Sequence, residues 1–364
     1  MKQLNILATA KFQPRLFHNN GRQLQNKLHN AFCFLLFSLL LSPIAANATD
    51  ITEQLHHPPI DRKVLVKSRD EADTLVHLAE RQNIQGNPHK AVKSLLQALE
   101  IYHSIGDLNA LGLTYEFLGK GYVQLKQYKK AEDAIRRRLA IARDTKDFQG
   151  QIFALNNIGT LLLQKGEFHT AYQTFEQALT IARNLDFNEG YGLSLSNLGL
   201  ASARQGNYNK AVKLYKNALN FRRRVGDPIG EANTLNNLGE AYQVVGTYQD
   251  IIGTYGIALR LAKTARDNPN QLRAIDGLVA AHSSVGRYNR AFDLLEKRLA
   301  IAKDLRNPRE ELKSFEFYAR LYEKLGNYST AHNFYQRAVI LARRLQDSRK
   351  EVLLLDRVTQ MLRR

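Results

Sequence analysis

The chain has 364 residues, 44% of them hydrophobic, no tryptophan, one cysteine and a formal net charge of +18. That length ordinarily divides into two or three domains, and that apolar content is enough for packed cores. A lone cysteine, Cys33, excludes an internal disulfide and a thiolate metal site.

The first thirty residues carry Lys2, Lys11, Arg15, Arg22 and Lys27 and no acidic residue. An apolar run from Ala31 to Leu41 follows, then Ser42-Pro43 and the small-x-small sequence Ala46-Asn47-Ala48. A basic region, a short apolar core and a small-residue cleavage site read as a secretory signal peptide over residues 1–48. The apolar run falls well short of the ~20 residues that cross a bilayer. A cleaved signal is the favoured reading; an uncleaved anchor and an organelle transit segment stay open. Cys33 begins the apolar run instead of following it, which argues against a lipoprotein anchor. Cleavage after Ala48 removes five cations and no anion and leaves +13, a basic surface that favours anionic partners and also serves solubility. Residues 49–67, with His56-His57-Pro58-Pro59, read as an irregular linker, and Ser68-x-x-Glu71 offers a capping box for the first helix.

From there the sequence repeats with a period of 40 residues. One column reads Ala91, Ala131, Ala171, Ala211, Ile251, Ala291 and Ala331. Three residues earlier stand Pro88, Tyr128, Phe168, Tyr208, Tyr248, Tyr288 and Tyr328. Another column has Gly86, Lys126, Gly166, Gly206, Gly246, Gly286 and Gly326. A fourth has Leu99, Leu139, Leu179, Leu219, Leu259, Leu299 and Val339, preceded by alanine in five of the seven copies. The copies span about 68–107, 108–147, 148–187, 188–227, 228–267, 268–307 and 308–347, with a helical cap at 348–364 that reads as polar and basic.

Each copy predicts two helices. In residues 228–267, Asp227 is a good N-cap and Pro228 suits the first helical position. Asn268-Pro269 and Asn307-Pro308 look like the same device one and two periods later. Leu235, Leu238 and Tyr242 form one apolar helical face, and Gly246 is expected to end the helix in the left-handed region. Tyr255, Ala258, Leu259 and Ala262 share a face of the second helix. No copy can bury these faces alone, so the copies must stack. In the fifth copy Ile251 replaces alanine beside Gly253 and Gly256; compensation of volume is the favoured reading there, a hinge the alternative.

These columns resemble the tetratricopeptide repeat. Leu235, Leu238-Gly239 and Tyr242, then Tyr248, Tyr255 and Ala258, match its pattern across residues 68–364. The usual period is 34 residues; the 40-residue form is similar to the kinesin light chain and Pins-type repeats. The resemblance implies an all-α, right-handed superhelical solenoid of about seven helix-turn-helix units plus a C-terminal capping helix. It also implies a concave groove, lined by first helices, that binds peptides.

Within that groove the asparagines Asn156, Asn157, Asn197, Asn236 and Asn237 are the main candidates. Asparagine is a mediocre helix former, and its amide both donates and accepts, which suits a peptide backbone. The family resemblance points to Asn157, Asn197 and Asn237 as the main-chain clamp. The competing reading is a hydrogen-bonded ladder between repeats. Arg204, Arg273, Lys313 and Arg320, with Lys120 and Lys324, add cations on neighbouring faces against Glu116, Glu240, Asp276 and Glu316. The arginine clusters Arg136–Arg138, Arg222–Arg224 and Arg343-Arg344 read as solvated outer surface.

The ten histidines form no ligand set, and no phosphate loop or nucleophile motif is present. The sequence therefore predicts a non-catalytic scaffold without a cofactor or metal, exported to a periplasm-like compartment. Its expected partner is a protein or peptide, with acidic ones favoured. Nucleic acid is not expected, and membrane contact only through an uncleaved signal. The alternative is a structural part of an envelope-associated homo-oligomer.

Overall fold

The computed structural model describes residues 62–362, so the signal-peptide reading of residues 1–48 lies outside the described residues. The chain divides into two units, Met1–Arg62 and Lys63–Arg364, and the second holds the repeats. The first helices of the seven repeats are α1 (Arg62–Ile84), α3 (Leu108–Gln124), α5 (Phe148–Lys165), α7 (Asn188–Arg204), α9 (Pro228–Val245), α11 (Asn268–Ser284) and α13 (Pro308–Lys324). The second helices are α2 (Pro88–Ile105), α4 (Tyr128–Asp144), α6 (Phe168–Asn184), α8 (Tyr208–Val225), α10 (Tyr248–Thr264), α12 (Tyr288–Asp304) and α14 (Tyr328–Arg344); α15 (Ser348–Leu362) closes the array. From α2 onward each helix packs on the next in chain order, α1 meets α2 through the Ser94–Gln82 and Tyr102–Asp73 hydrogen bonds, and neighbouring first helices also touch (α5 with α7, α7 with α9, α9 with α11). This is the right-handed solenoid, with first helices lining its inner side. Among the described residues no helix is long and apolar enough to cross a membrane.

The turns set the geometry. At the end of α2, Gly106 is left-handed (φ 72°), its N–H bonds the His103 carbonyl, and the Asp107 N–H bonds that of Tyr102. Asp107 then caps α3, its carboxylate accepting from the Ala110 N–H at 3.0 Å. One residue thus ends a helix and the next begins another, so successive helices fold back tightly. Asp147, Asp227 and Asp267 repeat the cap. The cap of α11 is therefore Asp267, and Asn268 lies inside the helix with Pro269 at its second position. Gly246 also departs from expectation, adopting φ −103°, ψ 174°. The next residue explains this. Thr247 is extended and forms a capping box with Asp250, whose carboxylate takes the Thr247 N–H at 2.9 Å. That box sets the entry into α10 and needs no left-handed residue before it.

At the N-terminal end α1 starts at Arg62, inside the expected linker, and runs through Ser68. Nothing between Pro59 and Ser68 breaks a helix, so helix propagates back past the proposed cap.

Inside the stack, a glycine on each of three first helices receives a ring from the second helix of the same repeat. A Cβ at Gly159, Gly199 or Gly239 would collide with Phe175, Tyr215 or Tyr255, all of them buried. Ile251 is half-buried and α10 runs unbroken through Gly253 and Gly256. A Cβ at either glycine would meet nothing within 4 Å. These glycines neither compensate for Ile251 nor form a break; they sit where an alanine would fit.

Three arginines that sequence reading assigned to solvent or left out are buried: Arg138, Arg222 and Arg298. Arg138 and Arg298 occupy the column that holds alanine elsewhere, and Arg222 an alanine position one turn later. Each reaches the first helix of the next repeat. Arg138 bonds the cap Asp147 at 2.5 Å and lies against Gly112 and Gly150, and Arg222 bonds Asp227 at 2.5 Å against Gly192 and Gly230. Those glycines leave the space the guanidinium fills. Burial works against the Asp147 carboxylate, yet the Gly150 N–H and Arg138 hold its pKa below the ordinary value. Arg298 is wholly buried and bonds Asp276 (2.5 Å), the Glu310 carboxylate and carbonyl (2.6 and 2.7 Å) and the Ser314 hydroxyl (2.6 Å). The outer-surface reading holds for Arg136 and Arg137 and fails for their neighbour, because only the third residue of the run turns inward.

Two outcomes follow from this packing. Gly253→Ala and Gly256→Ala each raise unfolding free energy by about 0.5–1 kcal/mol in urea titration. Arg298→Ala, which leaves Asp276 and Glu310 without their buried cation, lowers it by about 3–5 kcal/mol. Replacing all three groups with leucine or methionine restores most of that loss.

Candidate groove site

Helices α5, α7 and α9 lie side by side, so equivalent residues 40 positions apart form rows along the inner surface. Asn157, Asn197 and Asn237 make one such row. They line a cavity of about 570 Å³ together with Arg204, Asn233, Glu240 and Arg273. The structure thus brings together five of the nine residues singled out from sequence, plus Asn156 at the cavity wall.

Their amides are not equally committed. Asn157 makes no hydrogen bond among the described residues and is half-exposed, so its donors and acceptor face the cavity open. Asn197 donates to the Asn156 side-chain Oδ1 at 2.8 Å, and its own amide oxygen has no partner among the described residues. Asn237 accepts from Arg273 Nη2 at 2.7 Å and keeps its NH₂ free. The row therefore presents both donors and acceptors.

Asn156 and Asn236 do something else. Asn156 is 2% exposed and donates to the Ile152 carbonyl (2.8 Å) and Ser194 Oγ (3.0 Å) on α7. Asn236, fully buried, donates to the carbonyl and side-chain oxygens of Asn270 at 3.1 and 3.0 Å. Both are ties between neighbouring first helices, and the ladder reading is correct for them. The physical reason is angular: one residue earlier on a helix is a 100° turn away from the groove row.

The cations divide too. Arg273 bonds Asn233 (3.3 Å), Asn237 (2.7 Å) and Glu240 (2.7 Å), so its charge is answered within the site. Arg204 is exposed and makes no ion pair among the described residues; it also lines a neighbouring cavity of about 400 Å³ with Tyr208 and Tyr215. Burial, with the Glu240 charge beside it, keeps the Tyr215 hydroxyl protonated well above its ordinary range. Lys313 and Arg320 do not join this site. They line a separate cavity of about 390 Å³ beside Glu310, Glu316, Asp347 and Lys350. There Lys313 is paired with Asp276 at 2.6 Å and Glu316 with Lys350 at 3.0 Å, so the expected surplus of positive charge is largely cancelled.

Sequence reading missed Arg222, which reaches this site from α8. Its Nη1 bonds Asp227, its Nε has no partner among the described residues, and it lines the same cavity as the asparagine row. The available signal was an arginine at an alanine position with a glycine three residues after the following Asp227 cap, at Gly230. A more apolar pocket of about 300 Å³ adjoins through Asn157 and Thr160, lined also by Val123, Ile135 and Leu161. Among the described residues no group of histidine, cysteine or carboxylate side chains could hold a metal ion.

Stacked helix pairs with an amide row on the inner side define an α-solenoid built around an elongated polar groove. The tetratricopeptide-repeat family model matches residues 70–144, 151–224 and 230–304, more than half of the sequence, and the chain belongs to this family. No curated protein sequence matches it. Among solved structures, the apo form of RapI aligns over 76% of this chain and 99% of its own, at 15% identity and a TM-score of 0.58. A Rap protein complexed with competence and sporulation factor aligns over 83% of this chain and 98% of its own, at 13% identity and 0.54. The Rap conjugation gene regulator of the plasmid pLS20, solved in complex with the Phr* peptide, aligns over 75% and 74%, at 18% identity and 0.56. At these identities the likeness establishes the fold.

The two asparagine classes separate by measurement. Asn156→Ala strands Ser194 and Asn197 and costs about 1–3 kcal/mol in chemical denaturation. Asn157→Ala, one residue along, changes stability by no more than about 0.5 kcal/mol.

Proposed function

We propose that this protein is a non-catalytic adaptor that holds an extended segment of another protein or a peptide in the groove between α5 and α11. The observation that carries the reading is the set of unspent amide groups on Asn157, Asn197 and Asn237 within one cavity. An extended backbone offers alternating donors and acceptors at about 3.3 Å per residue, and a row of amides can satisfy them without reading side chains. The adjoining apolar pocket takes a side chain, and the uncompensated Arg204 favours a segment carrying a carboxylate. The likeness to Rap proteins, one solved with a peptide, supports the same use of the fold. The buried arginines are spent on intrachain carboxylates, which weighs against a nucleic-acid track. Release from the cytoplasm into a periplasm-like space, by way of the N-terminal signal sequence, is part of the proposal.

Replacing Asn157, Asn197 and Asn237 together with alanine lowers partner capture at least tenfold, about 1.4 kcal/mol. Circular dichroism keeps the same helical signal. Undiminished capture by the folded triple variant refutes the groove. Fusing residues 1–60 to a reporter active only outside the cytoplasm tests export separately.

A further inference from the structure

The three buried arginines fill corresponding places at three junctions, and their surroundings differ at one position. Arg138 and Arg222 lie against glycine pairs two periods apart, Gly112 with Gly150 and Gly192 with Gly230. Each arginine bonds a carboxylate of the following repeat: Asp147, Asp227 and, for Arg298, Glu310. At two of the junctions a second carboxylate comes from the first helix of the arginine's own repeat. Glu116 stands 3.9 Å from Arg138 Nε, and Asp276 bonds Arg298 Nε at 2.5 Å. The 40-residue column that holds these two acids holds Ser196 in the fourth repeat. Ser196 Oγ lies 3.1 Å from Thr234 Oγ1, and Arg222 Nε has no hydrogen-bond partner among the described residues, although Arg222 is only 7% exposed. Ser196 and Arg222 both line the cavity of about 570 Å³ that holds the asparagine row.

We infer that Arg222 is a specificity subsite of the groove, where a Glu or Asp side chain of the held segment supplies the carboxylate that Glu116 and Asp276 supply at the other two junctions. This subsite presupposes the groove proposed above and adds which residue type it selects and at which point. A buried N–H without an acceptor is unfavourable, so an acceptor brought by the segment is stabilising there. Nη1 stays with Asp227, and Nε–H with Nη2–H forms the guanidinium edge that takes both oxygens of a carboxylate. Charge agrees. The cavity lining carries Arg204, Arg222 and Arg273 against Glu240, and Asp227 pairs with Arg222, which leaves one cation in excess. A side chain suits this place better than a chain terminus. The amide row continues on both sides of α7, with Asn157 on α5 and Asn237 on α9, so a backbone held by it runs past Arg222 in both directions.

The probe is a library of acetylated, C-amidated nonapeptides, each with one fixed residue and the others random, passed over the immobilised full chain. Peptides with a fixed Glu or Asp are retained about tenfold more than those with Gln or Asn, the difference a charge-assisted bond makes. Arg204→Gln, which removes the exposed cation, keeps that ratio. Ser196→Glu supplies the acid from the chain itself and brings the ratio below about twofold while peptides are still retained. Ser196→Gln offers Nε an oxygen without adding charge and lowers the ratio in the same direction. Circular dichroism shows which variants are folded, and where Ser196→Glu is not, Ser196→Gln decides. Retention without a preference for acids in the wild type overturns the subsite and leaves the groove standing. So does a preference that Arg204→Gln abolishes, that the folded Ser196 variants keep, or that appears only with free C-termini. If no peptide is retained, the groove reading falls and the subsite with it.

Discussion

A first helix in this array has apolar residues on two faces, and no single neighbour covers both. Its own second helix takes one face, and the second helix of the preceding repeat takes the other. The fold is therefore an obligation passed along the chain: each repeat is complete only when the next is in place. The 40-residue rhythm is the trace of that obligation in the sequence. Gly159, Gly199 and Gly239 mark where a ring enters from the second helix, and the left-handed residue followed by a capping aspartate marks where the chain reverses.

The same stacking makes the groove. Once first helices stand side by side at a fixed rotation, a residue type recurring every 40 positions becomes a row in space. Asn157, Asn197 and Asn237 are such a row, and what distinguishes them from Asn156 and Asn236 is which neighbour satisfies their amides. Asn156 and Asn236 spend their amides on the neighbouring first helix, whereas Asn157, Asn197 and Asn237 each keep part of theirs toward the groove. A single helical step separates a joint from a candidate contact.

Periodicity carried most of the fold in plain view, because packing between identical units repeats identical demands. Helix pairs, turns and the inner face could all be read from columns. What could not be read were the breaks in column identity. Arg138 and Arg298 replace alanines, and only the glycines at Gly112 and Gly150 hinted that the first is enclosed. Charge along the groove misled for a related reason: Lys313 and Asp276 are 37 residues apart in sequence and 2.6 Å apart in space.

The buried polar ties are distributed along the rod in alternation. Arg138, Arg222 and Arg298 cross from the second repeat to the third, the fourth to the fifth and the sixth to the seventh. Asn156 and Asn236 cross the junctions between, third to fourth and fifth to sixth. At the joint between the second and third repeats the Asp147 carboxylate is held below its ordinary pKa, so that tie loosens as acid protonates it, whereas the Asn156 tie carries no titrating group. Acid therefore weakens the tie between the second and third repeats. The third and fourth repeats, which carry Asn157 and Asn197, are held at their shared seam by an amide–hydroxyl bond with no group that titrates in acid.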